Sequence, residues 1–499
     1  MFDSKKIDSY FEGKQSLDLQ SSTDMPKKIS WRRVFKLGAP CLAAALLGMM
    51  VVIPNVRKSV DLRDNITVPR KNEMEKLHIE QTVFSSTDNK NRINKITADS
   101  VDETEPGSKL VKIVNPRGTI PTESGVAEIS ANSGLFNQNN NVLQLDNDVK
   151  AVVDNNTVIT TTFAYYDFEK EYGWGDNPIK AKGDWGTMDA QAFAYDKKQA
   201  VLTLKGRNKI AGNGGTLSSQ TETLVYQNEN KTVSSGKASF TQNDSVLRAD
   251  KIVGYFTEKG KKELVRAEAF GNVVIKTSDE TITGKEGHYN PQTGEIVLYG
   301  NSLKDKNGSG RVSIHQGENV LYAQKIIAYI DVNGKKDLKE AVAVGKVRIV
   351  TPNETAAGKE GHYNPISGEI ILYGNYLTEA KKTGHVTIRQ GDNVLRAEKI
   401  TAYLATSGKK DLQKAVAVGS VKVTTPNGTA EGDKGVYNPK ENKVELFDNV
   451  KIEQNGNFII GAYAETDLLT SVSRIRGDEN TGGRIFGTFY KKRKDSNGD

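Results

Sequence analysis

The sequence predicts an all-β protein: a stack of short strands following one N-terminal transmembrane helix. Three observations carry this. A block of 74 residues recurs in register three times in the second half of the chain, the mark of a stacked architecture. Within each block, short runs rich in Val, Ile, Thr and Tyr are punctuated by Asn-Pro, Thr-Gly and Asn-Gly, which is strand and turn chemistry. One uncharged apolar stretch, residues 37–53, is long enough to be a spanning helix, and no amphipathic helix of a dozen residues follows it.

Taken in chain order, residues 1–36 form a polar leader expected in the cytoplasm, with eight Lys/Arg against five Asp/Glu. The anchor is placed at 37–56. Its seventeen-residue core LGAPCLAAALLGMMVVI spans about 25 Å as a helix, the short end of what crosses a bilayer. Lys27, Lys28, Arg32, Arg33 and Lys36 precede it, so the positive-inside bias puts the N-terminus in the cytoplasm and the bulk of the chain on the far side. A cleaved signal peptide is the alternative, but this run exceeds the usual 7–15 residues and no Ala-x-Ala site follows it. Cys41, the single cysteine, excludes an intramolecular disulfide and a cysteine-based zinc site.

Beyond the anchor, a β domain outside the cytoplasm is placed at 57–210, β repeats at 211–475 and a basic flexible tail at 476–499. The repeats are explicit. Val246-Leu-Arg-Ala-Asp-Lys-Ile252 returns at 320–326 and 394–400, and Gly287-His-Tyr-Asn-Pro291 returns at 361–365 and, as Gly-Val-Tyr-Asn-Pro, at 435–439. Glu295-Ile-Val-Leu-Tyr-Gly-Asn301 recurs at 369–375 and decays at 443–449. An aromatic followed nine residues later by Leu marks each copy: Tyr289/Leu298, Tyr363/Leu372 and Tyr437/Leu446. It also occurs upstream at Tyr195/Leu204 and Phe136/Leu145, so one building plan is expected from about residue 125 to 450.

Alternation supplies the candidate site. Ala267, Ala269, Gly271, Val273 and Ile275 fall on one side of a period-two segment, with Ala341 to Ile349 and Ala415 to Val423 as their equivalents. Val273, Ile275, Val347, Ile349, Val421 and Val423 are therefore inward-facing candidates. Ile296, Leu298, Ile370, Leu372, Val444 and Leu446 add larger apolar groups at matching points. Two arrangements satisfy this pattern: a core closed by the protein's own side chains, or an apolar groove able to take acyl chains.

The Leu-x-Ala-x-x-Ile-x-x-Tyr, Ala-x-Gly-x-Val-x-[IV] and Tyr-Asn-Pro-x3-Glu-[IV]-x-Leu-x-Gly-Asn blocks resemble the OstA-like (LptA) periplasmic domain of lipopolysaccharide export over about residues 215–475. The stretch 37–210 is similar to the LptC component of the same pathway, through the anchor, Asn115-Pro-Arg-Gly118, Ala127-Glu-Ile-Ser-Ala131 and Asp176-Asn-Pro-Ile179. The resemblance implies an open, twisted antiparallel β-jellyroll stack with a V-shaped apolar interior. It implies that such domains join end to end by strand pairing and carry lipopolysaccharide from an inner-membrane ABC exporter toward an outer-membrane translocon. Fusion of both parts in one chain departs from the usual separate components. The third repeat also loses its His to Val436 and a Gly to Asp448.

Composition narrows the alternatives. The net charge is +7, but the leader holds +3 of it and residues 490–499 another +2, leaving the folded body near balance and without the basic excess expected of a nucleic-acid binder. Hydrophobic residues make up 36%, which suits thin layers more than one thick core. The five histidines form no HExxH, so no metal is expected. Gly236-Lys237, Gly284-Lys285 and Gly358-Lys359 lack the Ser/Thr of a Walker loop, and no GxSxG appears. No cofactor and no catalytic residue is expected. The rivals are a polysaccharide-acting β-helix, whose coils would be far shorter than 74 residues, and a spacer or adhesion stalk with a closed core.

Overall fold

The computed structural model describes residues 77–488, apart from 88–92, 122–125, 154–155, 213, 258–262, 306–307, 333–336, 381–382, 407–410, 468, 471 and 478–482. The predicted anchor, leader and far C-terminal tail lie outside the described residues. Among the described residues, no helix is long and apolar enough to cross a membrane.

All regular structure there is β: thirty-four strands, each paired antiparallel with its neighbours. The organising device is a fold line that most long strands cross. In Leu264–Lys276, Phe270 lies opposite Glu286 but Val273 lies opposite Gly284, so one residue is extra on the bent strand. The slack is taken up by two consecutive left-handed residues, Gly271 (φ 72°) and Asn272 (φ 48°). The same step recurs at Asn147–Asp148, Gly236–Lys237, Gly345–Lys346, Gly419–Ser420 and Asp448–Asn449. A bulge of this kind bends the strand and sharpens its twist. Side chains on the convex side fasten it: Asn272 Nδ2 donates to Asp250 at 2.9 Å, Ser420 Oγ to Glu398 at 3.2 Å and Asn449 Nδ2 to Asp433 at 2.7 Å.

Each bent strand therefore contributes to two wings meeting in a V. One wing carries Leu247, Ile275 and Ile282 in register; the other carries Ile252, Ala269 and Gly287. Where no bulge occurs, the chain crosses the fold line either as one continuous strand, as Glu280–Asn290 does, or by a break between short strands. Glu295–Tyr299 lies in one wing and Val312–Gln316 in the other, both paired with Glu280–Asn290.

This geometry corrects one sequence expectation. Gly271, Gly345 and Gly419 do not line the inner face with their neighbours. They sit in the bulges with φ of 72°, 80° and 81°, and a Cβ there would collide with the convex-side Asp250, Gln324 and Glu398. The period-two frame survives the bend because the bulge takes up two residues, Gly271 and Asn272, where the partner strand spends one.

The expected upstream extension of the plan is present. The aromatic–Leu pairs sit in equivalent hairpins, with Phe136 opposite Leu143, Tyr195 opposite Leu202, Tyr289 opposite Ile296, Tyr363 opposite Ile370 and Tyr437 opposite Val444. What fills the V differs along the chain. One buried cluster, from Ile96 to Leu204, is packed with Phe136, Tyr166, Phe168, Phe193 and Tyr195. The second, from Ala238 to Ala464, consists of Ala, Val, Leu and Ile, with half-buried apolar residues lying against it.

Candidate functional site

The inner surface of the V is built from rows that run across the strands. In one wing the register is continuous through Leu247, Ile275, Ile282, Ile314, Leu321 and Ile349, and on through Ala356, Ile388, Leu395, Val423, Ala430 and Ile452. In the other it runs Ile252, Ala269, Gly287, Leu298, Ile326, Ala343, Gly361 and Leu372, then Ile400, Ala417, Gly435, Leu446 and Ala464. Since side chains alternate across a strand, an unbroken row needs the same parity in every strand, and the bulges keep that parity through the bend.

All twelve candidate residues face this interior, at three depths. Val273, Val347 and Val421 follow the bulges at the fold line and are 1%, 2% and 2% exposed; Leu298, Leu372 and Leu446 are each 5% exposed. These six are sealed by their own chain. Ile275, Ile349 and Val423 in one wing, and Ile296, Ile370 and Val444 in the other, are half-buried and form the reachable part of the surface. Beside the last three, Tyr289, Tyr363 and Tyr437 occupy the same inner face. Burial raises the hydroxyl pKa of Tyr289.

Sequence reasoning missed Leu247, Ile282, Ile314, Leu321, Ile388, Leu395 and Ile452, all half-buried against the second core. Each lies in a strand of about five residues or at one end of a longer strand, too short for alternation to register. The pairing of Val312-Ser-Ile314 with Val386-Thr-Ile388, one period apart, was the available signal.

The opposite face of the Leu298 wing is polar and ordered. Glu286 is buried and takes the Leu303 N–H at 2.9 Å, the Ser302 hydroxyl at 3.1 Å and His288 Nε2 at 2.8 Å. Burial alone would raise its pKa; the Leu303, His288 and Ser302 bonds outweigh that and hold it below the ordinary glutamate value. Glu360 repeats the arrangement with His362 at 2.8 Å and the Leu377 N–H at 3.1 Å, and is likewise lowered. These carboxylates pin the segments leaving Glu295–Tyr299 and Glu369–Tyr373. Among the described residues, no group of three or more His, Cys, Asp or Glu could hold a metal ion.

An antiparallel β stack bent into a V with an apolar interior is the architecture of a β-jellyroll bridge module. A family model described as LptA/(LptD N-terminal domain) LPS transport protein matches residues 218–309, 301–383 and 378–471, and one described as Lipopolysaccharide-assembly, LptC-related matches 41–213. The chain belongs to the lipopolysaccharide-transport bridge family, with an LptC-related region followed by OstA-like repeats. Among solved structures, it is similar to LptH from Pseudomonas aeruginosa, the LptA-homologous periplasmic component of the lipopolysaccharide transport device. The identity is 17%, over 28% of this chain and 95% of that one, with a TM-score of 0.23. No curated protein matches.

Proposed function

We propose that this chain is an inner-membrane-anchored periplasmic bridge that takes the acyl chains of lipopolysaccharide into the V and relays the lipid from an ABC exporter toward the outer membrane. One observation carries the reading: apolar rows stay in register from strand to strand through all three repeats. In the Ile275 wing, twenty-five strands follow one another from His78–Thr87 to Phe486–Thr488, about 115 Å at about 4.8 Å per strand.

The physics suits the cargo. Each methylene kept out of water is worth about 0.8 kcal/mol, so a lipid with several acyl chains does not cross an aqueous space unaided. Half-buried Ile and Leu offer hydrocarbon contact while the sugars stay in solvent. Repetition makes successive positions nearly equal in energy, which favours sliding over trapping. Among the described residues, strand His78–Thr87 pairs only with Ile93–Glu103, and Ser473–Arg476 and Phe486–Thr488 lie at the other end, so both ends are suited to strand addition by further OstA-like domains or an outer-membrane translocon. The chain acts as a conduit, without catalysis or cofactor, and the work of transport comes from its partners.

The test places a photocrosslinking residue in turn at Ile275, Ile349 and, on the opposite face, Phe270. Lipopolysaccharide adducts are expected at the first two and not the third; adducts confined to Phe270 would overturn the assignment. A second reading, a tethered spacer with a closed interior, draws on the sealed Val273 and Leu298, and it requires that none of the three sites captures lipid.

A further inference from the structure

Among the described residues, a run of buried polar side chains interrupts the apolar lining where the aromatic-filled head meets the repeats. The residue just past the strand bend is Val149, Ala238, Val273, Val347, Val421 or Val450 in six bent strands, all buried. In strand Val201–Gly212 the equivalent is Asn208, 3% exposed and paired beside the fold line with buried Ser219 of the neighbouring strand. In the Leu298 wing the inner row passes from Leu204 to Thr223, Ser234 and then Ile252, and both hydroxyl residues are fully buried.

These groups satisfy one another. Asn208 Nδ2 donates to the Gly206 carbonyl at 2.9 Å, Thr223 Oγ1 donates to Asn208 Oδ1 at 2.6 Å, and Thr223 and Ser234 share a hydrogen bond at 2.9 Å. Ser219 Oγ accepts the Thr221 and Glu222 N–H groups at 3.0 and 3.1 Å and donates to the Ser235 carbonyl. A network with its donors engaged has none to offer a lipid carbonyl, so it is not a head-group subsite. Displacing it to admit hydrocarbon would strand buried polar groups.

We propose that Asn208, Ser219, Thr223 and Ser234 form a polar sill across the trough, a barrier that keeps acyl chains lodged in the repeats from sliding back into the head. This rests on the lipid-conduit reading. A barrier is symmetric at equilibrium; its value to transport is that a chain pushed over it by an energised supplier returns slowly. Beyond the fold-line pair Asn208 and Ser219, the Ile275 wing stays apolar through the same strands, with Ile210 opposite Leu217 and Phe240 opposite Leu247, so a path remains along the outer part of that wall.

The test uses the full-length chain in lipid nanodiscs, offered lipopolysaccharide from solution, with a photocrosslinker either at Ile275 in the repeats or at half-buried Val101 in the head. At short loading times, before lipid exchanges across the sill, adducts at Ile275 should exceed those at Val101 by about tenfold, the factor in rate that one stranded buried polar group commands. Combining Asn208→Val, Thr223→Val and Ser234→Ala should bring the two yields together. Ser234→Ala alone, which leaves the Thr223–Asn208 bond in place, should shift the ratio part way and serves if the triple variant does not fold. Equal yields in the unmodified chain, or an unchanged ratio in a folded variant, would overturn the sill. Adducts at neither position would instead remove the conduit reading beneath it.

Discussion

At the scale of single residues, depth in the V separates structural roles from contact roles. Leu298 is sealed between Gly287 and Ile326, so Leu298→Ala should destabilise by about 2–5 kcal/mol. Ile275 is half-buried, so Ile275→Ser should cost less than Leu298→Ala in urea unfolding while lowering lipid capture more. If the two variants rank the same way in both measurements, depth is not the dividing line. Gly271 tests the bend: its left-handed φ and the Asp250 carboxylate behind it leave no room for a Cβ. Gly271→Ala should therefore cost at least about 1–2 kcal/mol, read from the same unfolding curves.

At the scale of elements, the buried glutamates make the segments after Glu295–Tyr299 and Glu369–Tyr373 sensitive to acid. The folded-state pKa values of Glu286 and Glu360 lie below the ordinary 4.5, so their stabilising contribution is complete above that value. It is lost as pH falls below 4.5 through the lowered values. Protection of the Leu303 and Leu377 amides, taken relative to intrinsic exchange at each pH, should fall over that acid window and hold steady between pH 5 and 7; Glu286→Gln and Glu360→Gln should abolish the dependence. This clamp was not legible in the sequence, because Glu286 reads as one more solvent-face carboxylate until Ser302 and Leu303 fold back onto it. The hairpins were legible, since their turns and the Tyr–Leu interval are local. The bends were only half legible: the glycines stood out, but nothing local says that a Gly in an alternating run marks a left-handed step instead of an inner-face position.

Over the whole molecule, the fixed period foretold a stack, and the twelve candidate residues all reached its interior because parity is a local property that pairing preserves. The difference between an aromatic-filled head and a repeat region lined by aliphatic side chains was not foreseeable from periodicity. It depends on which aromatic side chains, Phe136, Tyr166 and Phe193 among them, meet across the V, and that is a non-local fact. Stacked repeats contact mainly their neighbours, so their stabilities add along the axis. Removing one 74-residue period in frame takes out four strand levels, about 19 Å of trough. The shortened chain should still fold, with small-angle scattering reporting the loss in length; aggregation would mean the repeats are not interchangeable.

Because every strand lies across the long axis, that axis is the hydrogen-bonding direction. A pull from end to end therefore loads interstrand bonds head-on, one pairing at a time, and not in parallel as shear would. The molecule should behave mechanically like a zipper: compliant to bending, and weak in tension at its outermost pairings, with Phe486–Thr488, only three residues long, the first to part.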